Sequence, residues 1–174
     1  MSAVRRARDE RLTNALDQNA RDLLRYLERR VGSNDAPDAL SDTMIAAWKG
    51  AARVPTNPVE ARMWLFGIAR NVVLNHSRGE RRRSRLAERL RESVGVLPAN
   101  NDAAAGLDVL DVLDAIQRLD PDLSEVIRAV HWDGFSLAEI SQYLGLPAST
   151  VRSRYHRAKR ELAHVLGSQV ELIQ

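Results

Sequence analysis

Twenty-four of the 26 basic residues are arginine. A guanidinium is a planar fork of five donors that fits a phosphate or the edge of a guanine, so the excess reads either as nucleic-acid recognition or as a coding bias toward arginine, and placement decides. Residues 149–160 read STVRSRYHRAKR. Within them and just beyond, Val151, Tyr155, Ala158 and Leu162 recur at spacings of four, three and four, which is one apolar stripe of a helix. The opposite face then carries Ser149, Arg152, Ser153, His156, Arg157 and Arg160, placed to meet base edges, with Thr150, Arg154 and Lys159 toward the flanks, where phosphates lie. For His156 two roles stay open, a groove contact and simple exposure. A second basic block, HSRGERRRSRLAERLR at residues 76–91, sets seven arginines against two glutamates. Met63, Trp64 and Phe66 precede it; ring faces beside dense positive charge suit an unstacked single strand. Phe66 is expected in the core, and Trp64 is the more open ring.

Other chemistries lack their residues. The chain has no cysteine, hence no thiolate nucleophile and no cysteine-containing zinc site. Its four histidines are scattered without an HExxH pair, and its carboxylates are spread singly along helix faces, where a metal-dependent nuclease would need them clustered. The net charge of +3 conceals segregation: residues 1–91 carry +8, residues 92–150 carry −8 and residues 151–174 carry +3. At 174 residues, 44% apolar and 28% charged, the composition is that of a globular chain of one ordinary or two small domains. No stretch has the roughly 20 apolar residues of a membrane span and the first residues form no signal-peptide core, so a cytoplasmic location is expected.

The elements that must hold these residues are helices with readable ends. Leu12, Leu16, Ala20, Leu23, Leu27 and Val31 mark one over residues 6–31, stopped by Gly32. Asp35 is placed to cap a second, with Pro37 in its first turn and Leu40, Met44, Ala47 and Trp48 as its core stripe before Gly50. Asn57, Pro58 and Glu60 give the cap, first-turn proline and capping-box carboxylate of a third, whose apolar run spans residues 63–73. From residue 92 to 106 the period stops among Gly, Pro and paired Asn, the composition of a linker. Periodicity resumes with Val109, Val112, Leu113, Ile116 and Leu119; Asp120-Pro121 then opens a helix carrying Val126, Ile127 and Val130. Ser136 and Glu139 form a capping box, Phe135 and Ile140 a hydrophobic staple, and Gly145 ends that short helix before a last one near residues 147–166. The expected fold is all-α: two small helical domains, residues 1–91 and 107–174, joined by a flexible linker. The second is a four-helix domain whose last two helices have the dimensions of a helix-turn-helix.

Four stretches together carry a family likeness. DAPDALSDTMIAAW, RMWLFGIARNVVLNHSRGERRR, the linker, and LDPDLSEVIRAVHWDGFSLAEISQYLGLPASTVRSRYHRAKREL occur in the order and spacing of a bacterial RNA polymerase sigma factor. The chain resembles the compact extracytoplasmic-function (ECF) group of the sigma-70 family. The resemblance implies a dissociable subunit without an active site or cofactor, directing core RNA polymerase to promoters. The first domain would then melt and read the -10 element and the second read the -35 element. It implies core docking by Asp38, Leu40, Asp42, Thr43, Ile45 and Trp48 on the clamp helices of the largest subunit, and a contact to the flap of the second-largest. It further implies -10 contacts from Trp64, Asn71, Asn75, His76, Arg78, Arg81, Arg82 and Arg83, with a loop around residues 75–81 capturing a flipped base, and control by a separate anti-sigma factor, since the chain stops soon after its last helix. The residues independently leave Asp38, Asp42 and Ile45 off the expected core stripe, an apolar side chain between carboxylates that suits a partner. The rival reading is an autonomous helix-turn-helix regulator that binds duplex DNA without polymerase. It would need a ligand pocket or dimer surface in its N-terminal domain.

Overall fold

A computed structural model describes the backbone of residues 3–94 and 109–171 and the side chains of residues 3–78 and 112–166. Among the described residues all regular elements are helical: α1 (Ala3–Val31), α2 (Ala36–Lys49), a short 3-10 turn (Ala51–Arg53), α3 (Pro58–Val94), α4 (Val109–Arg118), α5 (Pro121–His131), α6 (Leu137–Leu144) and α7 (Ala148–Glu171). None of the described helices is long and apolar enough to cross a membrane. They group into two compact units divided between Pro98 and Ala99.

In the first unit α1, α2 and α3 each pack on the other two. Leu12, Leu16, Leu23 and Leu27 are buried as their period requires, but Tyr26, fully buried, joins them and meets the Phe66 ring edge-on at 5.3 Å. A polar strut crosses the same interface: Arg62 of α3 donates to Asn19 Oδ1 at 2.7 Å and to Asp22 Oδ2 at 2.8 Å, while Asn19 donates to the Ala15 carbonyl. Buried Asn19 is thus satisfied on both ends of its amide.

The face that α2 buries differs from the expected one. Ala36, Ala39, Thr43 and Ala47 point inward, Leu40 and Met44 are half-buried, and Trp48 is 46% exposed. The reason is distance: a helix wedged against two neighbours approaches them most closely over small side chains, and packing over an alanine face outweighs burial of the bulkier stripe one position away. Asp35 precedes α2 but its carboxylate caps nothing, because its backbone is already αR at φ −94°. Asn57 does cap α3, accepting from the amides of Val59 and Glu60. That helix continues through Val94. Residues 75–81 are therefore helical and form no loop, and residues 92–94 of the expected linker are helix as well; the rest of it lies outside the described residues. In this unit the non-helical stretch between α2 and α3 is residues 54–57.

The second unit comprises α4 to α7. Ile116 of α4, Leu119 just past its end, Leu123 and Ile127 of α5 and Ala158 of α7 make its core, with Tyr155 and Leu162 packed against it. Val112 and Leu113, expected on the core stripe, are 38% and 36% exposed, since this stretch buries Ala115, Ile116 and, just past the helix, Leu119 instead. The entry to α6 is fixed as its sequence requires: Ser136 accepts from the Glu139 amide, Glu139 accepts from Ser136, and Phe135 and Ile140 are buried. Its exit uses Gly145 at φ +65°, with Leu146 N–H bonded to the Ser141 carbonyl and Gly145 N–H to that of Gln142. Ser136→Ala should cost about 1 kcal/mol, read in calorimetry as a fall of roughly 4–8 °C in the midpoint of this unit. An unchanged midpoint would show that the staple alone sets the entry.

Candidate nucleic-acid and partner interfaces

The α6–turn–α7 arrangement turns the C-terminal arginines outward. Val151 and Ala158 are fully buried. The face opposite them leaves Ser149, Arg152, Ser153, His156, Arg157, Lys159 and Arg160 exposed and Thr150 half-buried. Several contacts anchor α7 to its neighbours or order its surface. Arg154 is drawn into an ion pair with Asp122 of α5 at 2.6 Å, so its charge is engaged within the protein, not offered to a phosphate as its flank position suggested. Tyr155 Oη lies 3.3 Å from His131 Nε2 at the end of α5, and Lys159 Nζ sits 5.6 Å from the centre of the Tyr155 ring. Arg157 donates from Nε to Glu161 at 2.8 Å. Arg152 reaches back toward the Ala148 carbonyl at 3.5 Å, a long bond that leaves its guanidinium free to reorient.

In the first unit the α2 face opposite the alanines presents Asp38, Asp42, Ile45 and Trp48 to solvent, Ile45 at 52% exposure. Thr43 does not belong with them. It is fully buried and its hydroxyl donates to the Ala39 carbonyl at 2.7 Å, so the expected role of Thr43 in contacting a partner is corrected to one inside the α1–α2–α3 core. Leu40 is half-buried at the edge of the exposed face. Where α2 meets α3, an open cleft of about 450 Å³ is lined by Asp42, Ile45, Ala46, Lys49, Val72, Asn75 and His76. It brings together residues that the sequence assigns to two different tasks, partner docking on α2 and nucleic-acid handling on α3. His76 Nε2 stands 3.7 Å from Asp35 Oδ2, which is what the uncapped carboxylate does instead.

The other expected -10 residues are spread along α3. Trp64 is half-buried, and a side chain at Gly50 would come within 3.3 Å of its Cζ2, so the indole closes over the end of α2. Asn71, Asn75 and Arg78 are exposed, with Arg78 3.5 Å from Asn75 Oδ1. The side chains of Arg81, Arg82 and Arg83 lie outside the described residues. A smaller cleft of about 190 Å³ sits beside residues 54–57, lined by Arg11, Asn14, Gln18, Pro55, Thr56 and neighbours. Periodicity gives no sign of it, because it is made by the junction of α1 with a non-helical stretch.

The Sigma-70 region 2 family model matches residues 15–83, and the Sigma-70 region 4 model residues 110–162. The ECF RNA polymerase sigma factor SigL of Mycobacterium tuberculosis is 32% identical over 147 residues, covering 84% of this chain and 83% of SigL. The chain belongs to the ECF RNA polymerase sigma factors. Also among the relatives of this sigma factor is SigM of the same species, 32% identical over 135 residues, with 78% of this chain and 66% of SigM covered. Among solved structures it is similar to the sigma factor RpoE of Bartonella quintana, crystallised with the anti-sigma factor NepR, at TM-score 0.56 and 27% identity over 87% of this chain and 95% of that one. The fold also matches CnrH, solved with the cytosolic domain of CnrY, at TM-score 0.59 and 24% identity over 90% and 88% of the two chains. As a sigma factor it binds core RNA polymerase and directs promoter-specific initiation. The region 2 match covers the α2 face and the cleft between α2 and α3, and the region 4 match ends at Leu162, one residue past the Arg157–Glu161 pair.

Proposed function

We propose that this sigma factor docks on the clamp helices of the largest polymerase subunit through Asp38, Asp42, Ile45 and Trp48, with Leu40 at the rim. One observation carries the reading: α2 spends its alanines on the core and leaves an isoleucine, an indole and two carboxylates facing out. Large apolar side chains so placed are the material of an interface centre, and the flanking charge fixes orientation. Residues 1–91 form the -10 domain and residues 107–174 the -35 domain, with the intervening residues as tether and a further contact to the flap of the second-largest subunit. The exposed polar side chains of α3, Asn71, Asn75 and Arg78, together with His76 and the arginines after it, track the melted strand. Trp64 supports that surface from beneath. Residues 75–81 are helical, and we place the pocket for a flipped base elsewhere. The cleft by residues 54–57 offers amide, hydroxyl and guanidinium groups of a kind that hold a base edge.

On α7, Ser149, Thr150, Arg152, Ser153, His156, Arg157 and Arg160 read the -35 duplex in the major groove. The protein works in the cytoplasm, catalyses nothing by itself and is held in check by an anti-sigma factor, as the Bartonella relative is bound by one. Run-off transcription by core polymerase with and without the protein, on genomic promoters including its own, tests the whole reading. Transcripts that start only when it is present are expected. Tight, specific binding of the free protein to intact promoter duplex without polymerase would favour the autonomous regulator.

The roles of individual side chains separate by base dependence. Arg152→Ala should leave thermal stability within about 0.5 kcal/mol and cost roughly 1–3 kcal/mol at one base pair of the -35 element. Lys159→Ala should weaken all sequences alike and flatten the salt dependence. A -35 substitution series read by both variants decides between these roles; equal losses at every position for Arg152→Ala would remove it from the reading face.

A further inference from the structure

Arg157 is the one described arginine on the outward face of α7 that is held by a side chain of its own helix. Its Nε donates to Glu161 Oε1 at 2.8 Å, and the two side chains, 63% and 40% exposed, lie one turn apart. A guanidinium can bond through its Nε edge or through the end formed by its two terminal nitrogens. Glu161 occupies the first, and neither terminal nitrogen of Arg157 is bonded among the described residues. That free end carries paired donors that can meet the O6 and N7 acceptors of guanine in the major groove. The hydrogen bond and charge of Glu161, with a smaller contribution from Asp120, hold the guanidinium pKa above its ordinary value.

The carboxylate is out of place on a helix that only attracts phosphate. A negative charge beside Arg157 cancels part of the attraction that an arginine gives to any DNA sequence. It gives something in return, because an arginine side chain loses considerable rotamer freedom when it binds, and a partner that fixes its orientation beforehand removes part of that cost. Arg154, by contrast, is engaged by Asp122 and faces the domain, and Arg152 has only a long backbone contact. We propose that Glu161 is a positioning residue that holds Arg157 with its terminal fork directed at a base edge, giving up general affinity for discrimination at one base pair. The proposal rests on α7 being the -35 reading helix.

The test uses holoenzyme assembled from core polymerase and the full-length protein, binding a series of single -35 substitutions. Arg157→Ala is expected to lower the preference at one base pair about fivefold or more, the size of a lost bidentate contact. Glu161→Ala and Glu161→Gln remove the same charge and both suit a helix, yet only glutamine keeps an acceptor for Nε. Glu161→Ala should therefore relax the preference at the base pair read by Arg157 about threefold or more beyond what Glu161→Gln does, while both raise binding to unrelated duplex. If the two Glu161 variants act alike at that base pair, the positioning role is overturned and α7 remains the reading helix. If Arg157→Ala leaves every preference unchanged, the proposal is overturned at its first step; if Arg152→Ala does so as well, the assignment of α7 itself fails.

Discussion

Trp48→Ala should cost this sigma factor about 2–4 kcal/mol of affinity for core RNA polymerase, the loss typical of an aromatic anchor at an interface centre, and under about 1 kcal/mol of its own stability. The two numbers separate because the indole is 46% exposed and sits outside the inward row of Ala36, Ala39, Thr43 and Ala47. Had Trp48 belonged to the core stripe that hydrophobicity suggests, the order would reverse, with stability lost first and binding only as a result. Competition against the wild-type protein for a limiting amount of core polymerase gives the first quantity and urea denaturation the second. A large loss of stability with unchanged competition would return Trp48 to the core and withdraw the docking face.

Phe66→Ala should be the most damaging single change in the first unit, at about 3–5 kcal/mol. Phe66 is 1% exposed, its ring pairs T-shaped with that of Tyr26 at 5.3 Å, and the Arg62 guanidinium lies 5.0 Å from its centre. Removing the ring opens a cavity where α1 meets α3 and also unseats the arginine that satisfies buried Asn19. A three-helix unit of this size has only several kcal/mol to lose. Thermal denaturation followed by circular dichroism is expected to show the first unit melting near or below 37 °C while Phe66→Leu remains folded. A variant with Phe66→Ala that melts within a few degrees of wild type would mean that α1 and α3 close over the gap.

Much of this was legible from residue order. Ser136 with Glu139, Asn57 with Pro58, and Gly145 mark ends by local hydrogen bonding and backbone freedom, which need no knowledge of the rest of the chain, and the helices start and stop there. The division of α7 into buried Val151 and Ala158 and exposed Arg152 and Arg157 followed from period alone. Three things did not follow. The inward face of α2 depends on how near α1 and α3 approach, and that distance is absent from any one-helix pattern. The length of α3 escaped because residues 76–91 carry no apolar period, although Arg, Leu, Ala and Glu are good helix formers and the one glycine among them costs only about 1 kcal/mol. Pairings between distant segments, Arg154 with Asp122 and His76 with Asp35, need the fold before they can be seen. Arg157 and Glu161 were already at the spacing of a helical ion pair, but spacing alone does not say which edge of the guanidinium is used.

The inward row of α2 also divides what this helix can tolerate as its sequence drifts. Alanine loses no rotamer freedom on burial, so Ala36, Ala39 and Ala47 seat the helix at little entropic cost, but each leaves no room for growth, and an added methylene there forces helices apart at about 1–3 kcal/mol. The outward row has no such constraint. Asp38, Asp42, Ile45 and Trp48 could be exchanged for other side chains with almost no effect on folding. One side of the helix is therefore frozen by its neighbours and the other is open to variation, so affinity for a shared polymerase can be raised or lowered, residue by residue, without the scaffold being renegotiated.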